Sequence, residues 1–316
     1  MRTFSRALAF SGIAIGAFVW GACASDAARQ CNAGADCASG ACNADGTCVA
    51  IDSKNGDSGA TNPSDAQAPS DAHFFEDAAA PACAAGDAGI LTHDDVPLAA
   101  GLSATFRIAT NETIDTAGTD NGDGTKSWDF SGALGSDNDQ IISTLSPSGT
   151  WWTSSFATAT YASTLSSTAT TLGIFDYGAN ALSLVGVVSP TSDGVTETKL
   201  TYATPIPILN FPLHNGQTWT TTSTVSGTLD GVASFYSEEY DSSVDAIGTV
   251  KTPFATFAAL RINTVLTQAS VTKTRTYAWV TGCYGTIAKA TSASTSNGTA
   301  PVENFSQAAE LERLAP

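Results

Sequence analysis

Seven cysteines carry most of the chemistry visible in this chain. Cys31, Cys37, Cys42 and Cys48 stand in the pattern C-x5-C-x4-C-x5-C among Gly, Ala, Asn and Asp. So short a stretch of small and polar residues cannot bury a core, and two disulfides are what could hold it together. Three pairings are open. Zinc is the competing chemistry, but the C-x2-C chelate is missing and no histidine stands nearby. Cys83 and Cys283 complete an even set of six, with Cys23 near the N-terminus.

The other reactive residues form no recognisable set. His73, His93 and His214 lie outside any nucleophile motif, and no G-x-S-x-G, H-E-x-x-H, P-loop or dinucleotide fingerprint occurs. His93-Asp94-Asp95 could offer a metal three ligands, but adjacent residues of an extended chain point in different directions. Asp120-Asn121-Gly122-Asp123-Gly124 is rich in hard oxygen ligands, yet it lacks calcium-loop spacing and reads as a hairpin turn. Glu238, Glu239, Asp241 and Asp245 crowd one expected strand. Glycoside hydrolysis needs two carboxylates facing each other across a cleft, which local spacing does not show; a solvated strand edge that resists aggregation is the expectation. Trp128, Trp151, Trp152, Trp219 and Trp279 could line a groove but are expected in the core. No catalytic residue, metal or cofactor is assigned.

The elements that hold these residues begin with an address. Arg2 and Arg6 precede an uncharged apolar stretch, Ala7 to Trp20, too short to span a bilayer. Residues 1–22 therefore read as an export signal. Gly21-Ala22-Cys23 resembles a bacterial lipobox, making Cys23 the expected lipidation site, although Trp20 replaces the usual Leu. Ala22-Cys23-Ala24 also fits ordinary signal cleavage, so a soluble secreted or periplasmic protein is the alternative. Outer-membrane lipoprotein is the favoured location, and an oxidising compartment makes Cys31, Cys37, Cys42, Cys48, Cys83 and Cys283 disulfide candidates.

Residues 23–48 form the anchor site and cysteine-rich module. Residues 49–82, rich in Ala, Asp, Ser, Pro and Gly, read as an acidic disordered linker. From 83 to 316 the pattern changes to β-branched and aromatic runs separated by turn residues, with no long 3.6-residue period. Strands are expected at 103–109, 126–130, 140–145, 159–164, 171–177, 181–188, 196–202 and 218–228. Others fall at 235–250, 257–267, 271–280 and 285–292, with 308–314 a short helix or a last strand. Asp123-Gly124, Asp193-Gly194, Asn215-Gly216, Asp230-Gly231 and Asn297-Gly298 are the hairpin signals. The fold class is all-β, an antiparallel meander forming a curved sheet, open barrel or sandwich. Parallel pairing is not expected without helical crossovers. Tyr277, Trp279, Thr281 and Cys283 share a face by the two-residue period, which would turn Cys283 inward towards Cys83.

The 316-residue chain carries a formal charge of −17 with 14% charged residues. That acidity argues against a nucleic-acid partner and against docking on anionic lipid. Its 42% hydrophobic content argues against whole-chain disorder.

Asp36-Cys37-Ala38-Ser39-Gly40-Ala41-Cys42 with Gly46-Thr47-Cys48 resembles the small cysteine-rich repeats of many myxobacterial surface lipoproteins. The later chain is similar to uncharacterised myxobacterial-type lipoproteins and secreted β domains. The landmarks are Phe211-Pro212-Leu213, Gly216-Gln217-Thr218-Trp219, Gly248-Thr249-Val250-Lys251-Thr252-Pro253, Ala259-Leu260-Arg261-Ile262 and Cys283-Tyr284-Gly285-Thr286-Ile287-Ala288. Lys126-Ser127-Trp128-Asp129-Phe130-Ser131 adds a W-D-F-S strand, while Ala255 replaces a glycine usual in that family. The resemblance implies export and an antiparallel β fold, and it carries no activity.

The resulting expectation is a non-enzymatic envelope-anchored lipoprotein displaying a β domain for surface interaction or structure. Its partners would be the membrane, through the N-terminal lipid, and an unidentified envelope or extracellular protein or glycan. An apolar-ligand, lipid-carrier-like module is one alternative. A secreted hydrolase using paired carboxylates is the other.

Overall fold

Apolar residues at every second position, broken by Asn-Gly and Asp-Gly pairs, favour short-turned antiparallel strands. The computed structural model describes residues 89–316 and has this construction. The expected segments 1–22, 23–48 and 49–82, with Cys23, Cys31, Cys37, Cys42, Cys48 and Cys83, lie outside the described residues.

The strands are β1 (Ile90–Leu91), β2 (Ser103–Thr113), β3 (Thr119–Asp120), β4 (Lys126–Asp129), β5 (Asn138–Ser143), β6 (Tyr161–Thr164), β7 (Leu172–Gly178) and β8 (Ala181–Val188). They continue as β9 (Lys199–Asn210), β10 (Leu213–His214), β11 (Thr218–Leu229), β12 (Val232–Lys251), β13 (Thr256–Gln268), β14 (Thr272–Thr281), β15 (Gly285–Ser292) and β16 (Gln307–Leu314). The large sheet runs in the order β5-β2-β16-β15-β14-β13-β12-β11-β9-β8-β7-β6. Its two edges approach through the Leu145–Ala162 bridge, where the backbone bonds are 2.7 and 2.9 Å. Of the three architectures open from sequence, the nearly closed antiparallel barrel is the one formed.

Of the two readings of the last segment the strand is the one formed, because β15 and β2 both pair with residues 307–314. Three details differ from expectation. β9 runs on through Pro205 and Pro207 to Asn210; its pairing with β11 stops at Tyr202, so neither proline interrupts that ladder. β4 pairs in parallel with β12 without a helical crossover. It reaches the stretch of β12 beyond the end of β11, after an excursion over the outside of the sheet. Gly248 permits this approach, since a Cβ there would stand 1.8 Å from the Lys126 carbonyl oxygen. Finally, β14 ends at Thr281, and Cys283 sits exposed in the following turn at φ 63°. The shared-face argument holds for buried Tyr277, Trp279 and Thr281 but not for Cys283, because the two-residue period stops with the strand.

Both faces of the sheet are packed. On the outer face Trp128 and Phe130 from the excursion cover Trp279, at ring separations of 5.7 and 4.8 Å. Trp152 and Phe156 cover β6, β7 and β8 in the same way. Trp128, Trp152 and Trp279 are thus core residues, at most 2% exposed. A bulge between Val244 and Ala246 reverses the alternation of β12. Val244 faces the interior cluster, whereas Ala246 and Val250 face the outer one.

Candidate functional site

The meander gives the barrel two distinct ends. One holds the segment at 89–102 and the turns joining β7 to β8, β12 to β13 and β14 to β15. The other holds the turns joining β8 to β9, β11 to β12, β13 to β14 and β15 to β16. At the first end Leu91 and Val96 pack with Leu182, Leu209, Leu260, Ile262 and Val280 into an apolar plug. The Cys283 N–H donates to the Asp95 carbonyl at 2.7 Å, and the Tyr177 hydroxyl donates to the His93 carbonyl at 2.7 Å.

Towards the second end the lining becomes polar. Glu238 is 3% exposed. Its carboxylate accepts hydrogen bonds from the Tyr202 hydroxyl at 2.8 Å, the Tyr240 hydroxyl at 2.9 Å and the Gln268 amide at 2.9 Å. Burial raises the pKa of both phenols, with Glu238 adding to the effect, so both remain donors. Such a network links β9, β12 and β13 and leaves the buried acid satisfied.

A second acidic group lies on the inner face of β15 and β16. Lys289 Nζ is 2.6 Å from Glu312 Oε1 and 3.0 Å from the Leu165 carbonyl oxygen. Glu310 accepts from the Ser167 N–H at 3.0 Å and from its hydroxyl. Burial pushes the Glu312 carboxyl up to about 7; Lys289 opposes this shift and Glu310 reinforces it. Glu310 also lines an open cleft of about 280 Å³ with Thr110, Ser166, Thr168, Thr274 and Thr291.

The raised Glu312 pKa fixes the sign of a pH effect. The folded chain holds this proton more tightly than the unfolded one, so the contribution to stability is fully present below about pH 4.5. It declines as pH rises towards 7 and levels off above. Glu312→Gln is expected to flatten this part of the stability curve, because it removes the titrating group while leaving Lys289 without its counter-charge at every pH. Urea midpoints between pH 4 and 8 read the slope, and an unchanged slope in the variant would remove the assignment.

The other sequence candidates are separated. In β12, Glu239 and Asp241 point outward while Glu238 points in, and Asp245 forms a bidentate pair with Arg261 at 2.8 and 2.9 Å. The expected solvated reading is therefore wrong for Glu238, which is buried, while Asp241 and Asp245 are exposed: β12 lies between β11 and β13, and its alternation places neighbouring acids on opposite faces. His93 stacks on Tyr177 at 4.5 Å, with Asp94 2.9 Å from its Nδ1. Asp95 turns away to accept the Thr92 N–H at 2.8 Å, which lowers its pKa. With Phe211 and Asn180, His93 borders an open concavity of about 330 Å³. In the Asp120–Gly124 turn the Asp120 and Asp123 carboxylates accept the N–H groups of Gly122 and Thr125. His214 is exposed beside its Asn-Gly turn.

The surface feature missed from sequence is apolar. Val195, Val232, Phe235, Val271 and Val302 are 74, 66, 80, 52 and 72% exposed. All belong to strand tips or connecting loops at the second end. Elsewhere only Ile141, at 74%, is a large hydrophobic more than half exposed among the described residues. Scattered apolar residues need no explanation, but a group at one end does. Its signal was the hairpin itself: Leu229-Asp230-Gly231-Val232 places apolar residues around a two-residue turn, with φ of 49° and 75° at Asp230 and Gly231. The chain matches no protein-family profile, no curated protein and no solved structure.

Proposed function

We propose that the protein is a non-enzymatic, exported outer-membrane lipoprotein, anchored through Cys23, that displays its barrel for contact with another protein. The observation carrying this reading is the group of exposed apolar side chains at the end opposite the segment at 89–102. The apolar plug and the packed outer face favour a rigid display module over a lipid carrier. The disulfide-bonded state of Cys283 and its position beside the Thr92–Val96 segment support a Cys83–Cys283 bond as the clamp at the tethered end.

Full-length protein carrying a photo-crosslinking amino acid at position 235 tests the reading on intact cells. Position 254 is the control, because Phe254 is 41% exposed at the opposite end. Protein adducts are expected from position 235 at several times the yield from 254. Equal yields, or none from 235, would remove the reading.

A further inference from the structure

We infer that the exposed end of β12 pairs with the same segment of a second copy of this chain, giving a two-fold dimer joined edge to edge; this rests on the contact reading above. β11 covers one side of β12 along Val232–Ser243, but β13 covers the other side only from Glu238 onward. The Ser237 carbonyl is already taken, accepting the Ala269 N–H at 2.9 Å. Main-chain groups alternate in direction along a strand. Because the Ser237 carbonyl points to the β13 side, those of Ala233 and Phe235 point there as well, and no β13 residue pairs with them.

These groups, which have no backbone partner among the described residues, select a register. Setting Ala233 opposite Phe235 of the second copy, and Phe235 opposite its Ala233, uses both residues on each chain and forms about four inter-chain hydrogen bonds. Shifting to Phe235 opposite Phe235 would require the occupied Ser237 carbonyl. In the favoured register the two-fold axis passes through Ser234, and Val232 lies opposite Tyr236. Each Phe235 then has a small alanine across from it. The Asp230-Gly231 tip also comes alongside the second copy's β13–β14 turn, near its exposed Val271.

Charge favours a second copy at this edge over any other part of the surface. The chain has a net charge of −17, so copies repel over most of their surfaces, yet residues 232–237 read Val-Ala-Ser-Phe-Tyr-Ser without a charge. Neither lysine nor proline, the usual protections of an exposed edge, occurs there. A contact this small is weak for free molecules, and anchoring many copies on one surface raises their effective concentration.

The test uses the full chain with Cys23→Ser, so that no lipid drives association. Sedimentation velocity should show a concentration-dependent dimer. Ala233→Pro, which deletes an outward-facing N–H, should weaken dimerisation at least tenfold while leaving the thermal midpoint within a few degrees. Ser234→Cys sits on the two-fold axis and should yield a covalent dimer under mild oxidation, whereas Ser237→Cys should not. Monomer at all concentrations, undiminished dimer in Ala233→Pro, or equal crosslinking at 234 and 237 would overturn the proposal. A monomeric chain that still gives adducts to a different protein from position 235 would overturn self-pairing and preserve the contact reading.

Discussion

Asp137→Ala should cost about 3–5 kcal/mol, a large share of the stability of an ordinary domain. Arg313 on β16 is fully buried, with a side-chain exposure of 0%, and Asp137 is its ion-pair partner. Its remaining bonds go from Nη1 to the carbonyls of Phe130 and Gly132, at 3.1 and 2.8 Å, while Nε has no acceptor among the described residues. Burial already lowers the Arg313 pKa, opposed by Asp137. Removing the carboxylate leaves a guanidinium in the core without its counter-charge, and that penalty exceeds the value of the pair itself. The same contacts fasten the 130–137 stretch to β16, so the excursion carrying Trp128 should loosen. Urea unfolding followed by tryptophan fluorescence measures the loss. Asp137→Ala combined with Arg313→Met should recover part of it, because the double variant has no stranded charge. A loss under 1 kcal/mol in the single variant would refute the argument.

Gly248→Val should destabilise by at least 2 kcal/mol. A Cβ at Gly248 would stand 1.8, 2.6 and 2.7 Å from the oxygen, carbonyl carbon and nitrogen of Lys126, all backbone atoms. Neither rotamer change nor side-chain movement relieves that overlap, so β4 must separate from β12. Overpacking of this kind costs about 1–3 kcal/mol, and loss of the Trp128 contacts with Trp279 adds to it. Amide exchange should quicken across Lys126–Asp129, and tryptophan emission should shift to the red. Gly132→Ala is the control: among the described residues no atom lies within 4 Å of a Cβ there, and its φ is not positive. Similar losses in the two variants would show that the close approach of β4 is unimportant.

These two sites show where local pattern stops being informative. Alternation and strand propensity made β7, β8, β11 and β13 through β15 legible almost at full length, with the Asp230-Gly231 pair marking the end of β11, because both act over a few residues. Pro205 and Pro207 concealed the second half of β9; whether a missing N–H matters depends on whether a neighbouring strand needs it. Glu238 alone among the acids of β12 was misread, because placing it inside requires knowing that both sides of the strand are covered. The Asp245 bulge then moves Ala246 and Val250 to the other face, a reversal visible only once β12 is aligned with β13.

The sequence alone determined the all-β class, the antiparallel meander, the Asp230-Gly231 hairpin turn and the core places of Trp128, Trp152 and Trp279, because each follows from short-range spacing and burial preference. Tertiary structure decided the near-closure of the barrel, the parallel contact of β4 and the pairing of Arg313 with Asp137. It also decided that Glu238, Glu310 and Glu312 face inward and that the free edge of β12 stands apart from the segment at 89–102. Each of these depends on which strands meet across long separations in the chain, and such pairings are selected by the packing of the whole sheet.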